Sequence, residues 1–124
     1  MHAHWFVIAS QKTVNIYTET QSRSKLQLLR TFDNPVPEEA SALSFAKKLA
    51  NYLNKEYQAK NFQSLSIAAE PHFIGKIREV LKPQISKLVQ HWIKKDLQKI
   101  PMYQLPVHLP LSLSRAGSEA TRGL

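Results

Sequence analysis

Few side chains in this sequence have the types that do chemistry. There is no cysteine, which removes disulfides, thiolate metal sites and a cysteine nucleophile. The only aspartates are Asp33 and Asp96. His2 and His4 stand two apart, a weak metal-ligand spacing in a pair too small to make a site, and no metal is expected. His91 and His108 read as ordinary surface or partly packed residues. Glu70-Pro71-His72 sets a carboxylate two positions from an imidazole, and Ser10 closes the first apolar run. Ser10, Glu70 and His72 are together the types a hydrolase uses, with serine as nucleophile and histidine as base. No Gly-rich nucleophile elbow or oxyanion loop accompanies them. The glycines are Gly75, Gly117 and Gly123 alone, so loops that cradle phosphates are absent and no cofactor is expected.

Charge is the second signal. Seventeen basic residues face nine acidic ones, giving +8. Residues 71–124 hold nine of the basic and three of the acidic residues, so +6 of the +8 lies there. Lys76, Arg78, Lys82, Lys94 and Lys95 stand out against Glu79 and Asp96. A field of this sign draws polyanions, nucleic acid first and an anionic membrane surface next, although a Lys-rich solvated face reads the same way.

The elements that must position these residues follow from periodicity. Trp5, Val7 and Ala9 alternate with Phe6, Ile8 and Ser10, and both sets are largely apolar, so this strand is buried on two faces. Gln11-Lys12 is a break of hairpin length. Thr13 to Glu19 alternates with Val14 and Ile16 inward. After a polar turn from Thr20 to Ser24, Lys25 to Phe32 makes a third strand with Leu26, Leu28 and Phe32 in phase. Asp33-Asn34-Pro35-Val36-Pro37 ends this meander, because proline cannot donate to a ladder and suits a first helical turn.

Glu38 and Glu39 then sit where a helix dipole favours acids. Leu43, Ala46, Leu49, Ala50, Leu53 and Tyr57 recur at helical spacing, which predicts a helix over 37–60. Leu65 to Ala69 is a short apolar strand. Glu70-Pro71 opens a second helix with Phe73, Ile74, Ile77 and Leu81 inward, ended or kinked by Pro83. From Ile85 to Ile100 a 3.6 period fits a helix, while the β-formers Leu88 to Ile93 fit a strand. Pro101, Pro106 and Pro110 leave room for short helical or irregular pieces only.

Three strands, then helix, strand, helix and strand, give an α/β fold. It is a five-stranded mixed sheet, an antiparallel meander followed by βαβ crossovers, with order 3-2-1-4-5. This topology wants a fifth strand after the second helix, which favours a strand at Leu88–Ile93. The order is that of the ribonuclease-H-like fold, seen also in the middle domain of eukaryotic-type peptide release factors. It sets His72 at the crevice between strands 1 and 4, with Ser10 across from it, where open α/β sheets bind ligands.

Nucleases of that topology gather several carboxylates on two Mg²⁺ ions. Strand 1 carries no acid here, and Glu70 alone at the end of strand 4 cannot clamp two metals. The blander reading of Glu70 is a carboxylate favoured at a helix start. No zinc spacing, aromatic RNA-binding motif or GxxG clamp is present. Trp5, Phe73 and Trp92 fall in apolar stripes, which fits core packing better than base stacking.

A series of segments resembles the bacterial host attachment protein family. They are Trp5-Phe6-Val7-Ile8-Ala9 with Val14-Asn15-Ile16-Tyr17, and Glu39 through Phe45 to Leu53. Leu65 to Gly75 follows, similar to an apolar strand and a Pro-x-Phe-Leu-Gly turn, and then Lys94-Lys95-Asp96-Leu97. The resemblance spans residues 4–110 and implies a release-factor-like fold and a role connected with attachment. Ser10 departs from the acid or amide usual after the first strand, and the loop before the first helix is short. The Gly-Gly-Gln tripeptide of release factors is missing, so peptidyl-tRNA hydrolysis is not implied.

A length of 124 residues fits one domain, over 1–110, with a mobile tail over 111–124. No apolar run is long enough to span a membrane, and Met1-His2-Ala3-His4 lacks the features of a secretory signal, which predicts a cytoplasmic protein. The expectation is a non-catalytic binding domain meeting RNA, ribosome or another polyanion through Lys76, Arg78, Lys82, Lys94 and Lys95. The alternatives are a protein–protein module in attachment or regulation, and a hydrolase on Ser10, Glu70 and His72.

Overall fold

A computed structural model describes residues 3–19, 26–35 and 41–109. Strands β1 (His4–Ala9), β2 (Thr13–Glu19) and β3 (Leu26–Asp33) form an antiparallel meander. Helix α1 (Ala42–Gln58) leads to β4 (Ser64–Ala68), which pairs parallel with β1. Helix α2 (Pro71–Val80) and the single turn α3 (Pro83–Ser86) cross to β5 (Val89–Ile93), parallel to β4. A 3₁₀ turn at Met102–Gln104 and the short α4 (Leu105–His108) follow. The strand order is β3-β2-β1-β4-β5, as the sequence predicts, and Leu88–Ile93 resolves in favour of the strand.

The central strands β1 and β4 are buried on both faces. Trp5, Val7 and Ala9 of β1 meet Phe45, Leu49 and Leu53 of α1 and Phe73, Ile74 and Ile77 of α2. Phe6 and Ile8 face the other way, where Leu97, Leu105 and Leu109 cover them. The chain after β5 is therefore the second layer of the protein. Prolines and turns, not one helix, carry its leucines, so the helical spacing of Leu97, Leu105 and Leu109 does not announce this layer in the sequence.

Two expectations need correction. Leu26, Leu28 and Phe32 are not in phase. Ile16 pairs with Arg30 and Tyr17 with Leu28, so Leu29 is an extra residue in β3. Such a bulge shifts the alternation by one. Leu26 packs with Phe6 and Tyr17 on one face, Phe32 packs on the helix side, and Leu28 is 46% exposed. Within α1, Leu43 is only half-buried and Phe45 fills the inner stripe with Ala42 and Ala46.

The turn at Thr20–Ser24, the helix start at Pro37 with Glu38 and Glu39, His2 and the tail over 111–124 lie outside the described residues.

Helix α1 ends sooner than Lys60, and its ending is specific. Asn61 donates to the Glu56 carbonyl (3.0 Å) and Lys60 to the Tyr57 carbonyl (2.9 Å). That pattern needs a left-handed residue between, and Lys60 takes it with φ 64°.

Candidate functional site

Two places concentrate polar residues. The first lies at the carboxyl ends of β1, β4 and β5, which open on the same side of the sheet. It is a crevice of about 470 Å³, lined by Ser10, Lys12, Glu70, His72, Asp96 and Lys99, with Gln11 and Gln98. The topology brings Ser10, Glu70 and His72 to one opening.

The side chains of Ser10 and Glu70 hold turns. The Ser10 hydroxyl accepts from the backbone N–H of Lys12 and of Thr13, both at 3.1 Å, which pins the β1–β2 hairpin. The Glu70 carboxylate caps α2, accepting from His72 N–H at 3.0 Å and Phe73 N–H at 2.6 Å. A carboxylate there satisfies orphan donors and meets the positive end of the helix dipole. Asp96 accepts from Gln98 N–H at 3.0 Å. The Gln98 carboxamide donates to the carbonyls of Ile8 (2.7 Å) and Thr13 (2.9 Å), tying the second layer to the hairpin. Gln98 is legible only with the fold in hand, because its partners lie more than 80 residues away.

A polar network that the sequence reading misses crosses β1, β4 and β5 at their other end. Ser64 Oγ stands 2.6 Å from His4 Nδ1, and Ser66 Oγ 2.8 Å from His4 Nε2. Ser66 Oγ also lies 3.2 Å from His91 Nδ1. Both serines are almost fully buried, at 2% and 1% exposure. Buried hydroxyls need partners, and the imidazoles supply them. The signal was present: Ser64 and Ser66 alternate with Leu65 and Ile67, which predicts a polar row on one face of β4. Among the described residues, no three His, Asp or Glu side chains stand close enough to share a metal ion.

The second place is the basic surface around α2 and β5. Arg78, Lys82, Lys94 and Lys95 are exposed, and Lys76 is half-buried. Two positions along a helix turn the direction by about 200°, so Lys76 and Arg78 leave α2 on different sides. Lys82 follows the end of α2 in extended backbone, just before α3. The Arg78 guanidinium carbon lies 4.8 Å from the centroid of the Trp92 ring, over its face. Trp92 is half-buried and packs against the helix-side core, whereas Trp5 and Phe73 are fully inside it.

A second polar–aromatic contact lies where β3 meets α1. Arg30 stands 5.4 Å from the Tyr52 ring centroid and 5.7 Å from that of Phe32. Burial pushes the Tyr52 phenol above its ordinary 10.0; the Glu56 carboxylate adds to this and Arg30 opposes it.

A family model described as "Protein required for attachment to host cells" matches residues 33–109, more than half of the chain. The chain belongs to that family. The match takes in α1 through α4, while most of the meander, which the sequence resemblance included, lies outside it. No curated protein matches the chain. Among solved structures, the crystal structure of an archaeal translation termination factor is similar over 98% of this chain and 41% of its own, at 13% identity and a TM-score of 0.47. A structure titled as an archaeal protein is similar over the same shares, at 12% identity and a TM-score of 0.41. The chain thus spans about two fifths of either protein. No helix among the described residues is long and apolar enough to cross a membrane.

Proposed function

We propose that this protein is a non-catalytic binding domain of the cytoplasm, formed by residues 1–110, whose basic surface meets RNA, ribosomal RNA included. The observation that carries the reading is the concentration of charge: Lys76, Arg78, Lys82, Lys94 and Lys95 gather on and beside one helix and one edge strand. Phosphate attraction needs no more than such a cluster and brings no base specificity by itself.

The crevice supports no competing chemistry of equal weight. Its serine and its two carboxylates hold turns, so a hydrolase built on Ser10, Glu70 and His72 would have to break its own hairpin and helix cap. The attachment role in the family's description would then be an indirect outcome of RNA or ribosome contact.

The test is equilibrium binding of fluorescent single-stranded RNA at rising salt. Affinity that falls steadily supports the reading. Absence of binding at low salt, or indifference to salt, removes it.

One observation favours a second reading, a protein–protein module in attachment or regulation. Met102, Tyr103 and Val107 are 48%, 80% and 85% exposed on the segment after β5. A partner seated there would bind through apolar contact and be insensitive to salt.

A further inference from the structure

The basic surface is not uniform. Arg78 is the sole arginine between residues 71 and 109; every other cation of the cluster is a lysine. It is also the one cation of the five held over an aromatic ring. An ammonium is a flexible point charge that attracts phosphate from any direction. A guanidinium is planar, stacks on aromatic faces and forks its N–H groups onto phosphate. Resting over Trp92, the Arg78 head is oriented before any ligand arrives, so less side-chain freedom is lost on binding.

The surroundings leave its outer side open. Arg78 is exposed, and among the described residues it forms no ion pair with a carboxylate. Glu79 is its neighbour in sequence but points about 100° away around the helix. Lys82 lies just past the end of α2 and is exposed. Lys94 and Lys95 follow β5, the strand that carries Trp92. The result is a planar cation on an aromatic base, flanked by point charges that a phosphate backbone could follow.

We infer that the Arg78–Trp92 pair is a stacking subsite for one base of a single-stranded nucleic acid, with Lys82, Lys94 and Lys95 holding the phosphates beside it. Guanidinium planes and aromatic rings are the surfaces on which unpaired bases stack. A duplex keeps its bases stacked on one another, so it offers phosphate alone. This inference rests on the polyanion reading above and deepens it: that reading needs charge only, while this one needs a base.

The experiment separates the two. Binding of an oligoadenylate, a duplex RNA of equal length and inorganic polyphosphate is measured for the parent chain and for Arg78→Lys. The substitution keeps the charge and removes the planar group. The expected result is an oligoadenylate affinity reduced by about tenfold, with polyphosphate and duplex binding and the salt slope unchanged. Trp92→Phe, a milder change of the platform, should weaken oligoadenylate by a smaller factor and spare polyphosphate. Equal losses on all three probes, or no loss on any, overturn the subsite and leave the polyanion reading standing. No salt-dependent binding of any probe by the parent chain removes both.

Discussion

The side-chain amide of Gln98 donates to the carbonyl of Ile8 at 2.7 Å, joining a turn after the last strand to the end of the first. The same nitrogen reaches the Thr13 carbonyl, and the Gln98 carbonyl oxygen accepts from Asn15 Nδ2 at 3.3 Å. One side chain thus fixes the second layer over Phe6 and Ile8. Gln98→Ala leaves strand-end carbonyls without their donor, which costs about 1–3 kcal/mol. Urea unfolding should show that loss, with m unchanged if the layer stays docked. A cost under about 0.5 kcal/mol, typical of an uninvolved surface site, would contradict the account.

The Glu70 carboxylate caps α2. Glu70→Ala should therefore destabilise the fold by about 0.5–2 kcal/mol. Glu70→Asn, which keeps a short acceptor at the same place, should restore most of it. Calorimetry of the two variants decides between a cap and a catalytic carboxylate, since a purely catalytic group has no reason to be rescued by asparagine.

Two backbone positions carry the wrong residue for their conformation. Lys60 sits at φ 64°, where a Cβ is penalised by about 1 kcal/mol. Gly75 lies inside α2, and a Cβ there would meet nothing within 4 Å. Lys60→Gly and Gly75→Ala should each stabilise by about 0.5–1 kcal/mol, and additively, since the sites share no partner. Thermal melts of the single and double variants check both the sign and the sum. Destabilisation by Gly75→Ala would mean that the bare position serves a close approach.

Alkaline pH should weaken the fold through its tyrosines. Burial raises the Tyr52 phenol above 10.0, with Glu56 adding and Arg30 opposing. Burial also raises the phenol of Tyr17, with Asn15 opposing. The folded state then holds these protons more tightly than the unfolded state. Their contribution is complete below pH 10.0 and is lost as pH rises through the higher folded values. Tyr52→Phe should flatten that loss. Arg30→Gln should raise the Tyr52 phenol further, read from tyrosinate absorbance. An unchanged titration in Arg30→Gln would contradict the Arg30–Tyr52 contact.

The fold was legible where periodicity and punctuation agree. β1 announced burial on two faces, the α1 stripe from Ala46 to Leu53 fixed its orientation, and Glu70-Pro71 marked both the cap and the start of α2. Leu88 to Ile93 fitted two periods, and only the topology chose between them. Three things escaped for physical reasons. The bulge at Leu29 depends on pairing with β2, which a single strand does not encode. The leucines of the second layer ride on turns and a short helix, so their helical spacing does not announce a layer. The contacts of Gln98, and the seat of Arg78 over Trp92, join residues distant in sequence. The histidine–serine network was half legible, since the polar row of β4 could be read but its partners on β1 and β5 could not.

RNA binding through charge is proposed for the surface around α2 and β5. The measurement that tests it is the affinity of single-stranded RNA across a salt series, for the parent chain and for a variant with Lys82, Lys94 and Lys95 changed to Gln. Engagement of all five cations predicts a log–log slope of about −3 to −4 for a single strand, made shallower by about 2 in the triple variant. A slope near zero, or the same slope in both proteins, would contradict it.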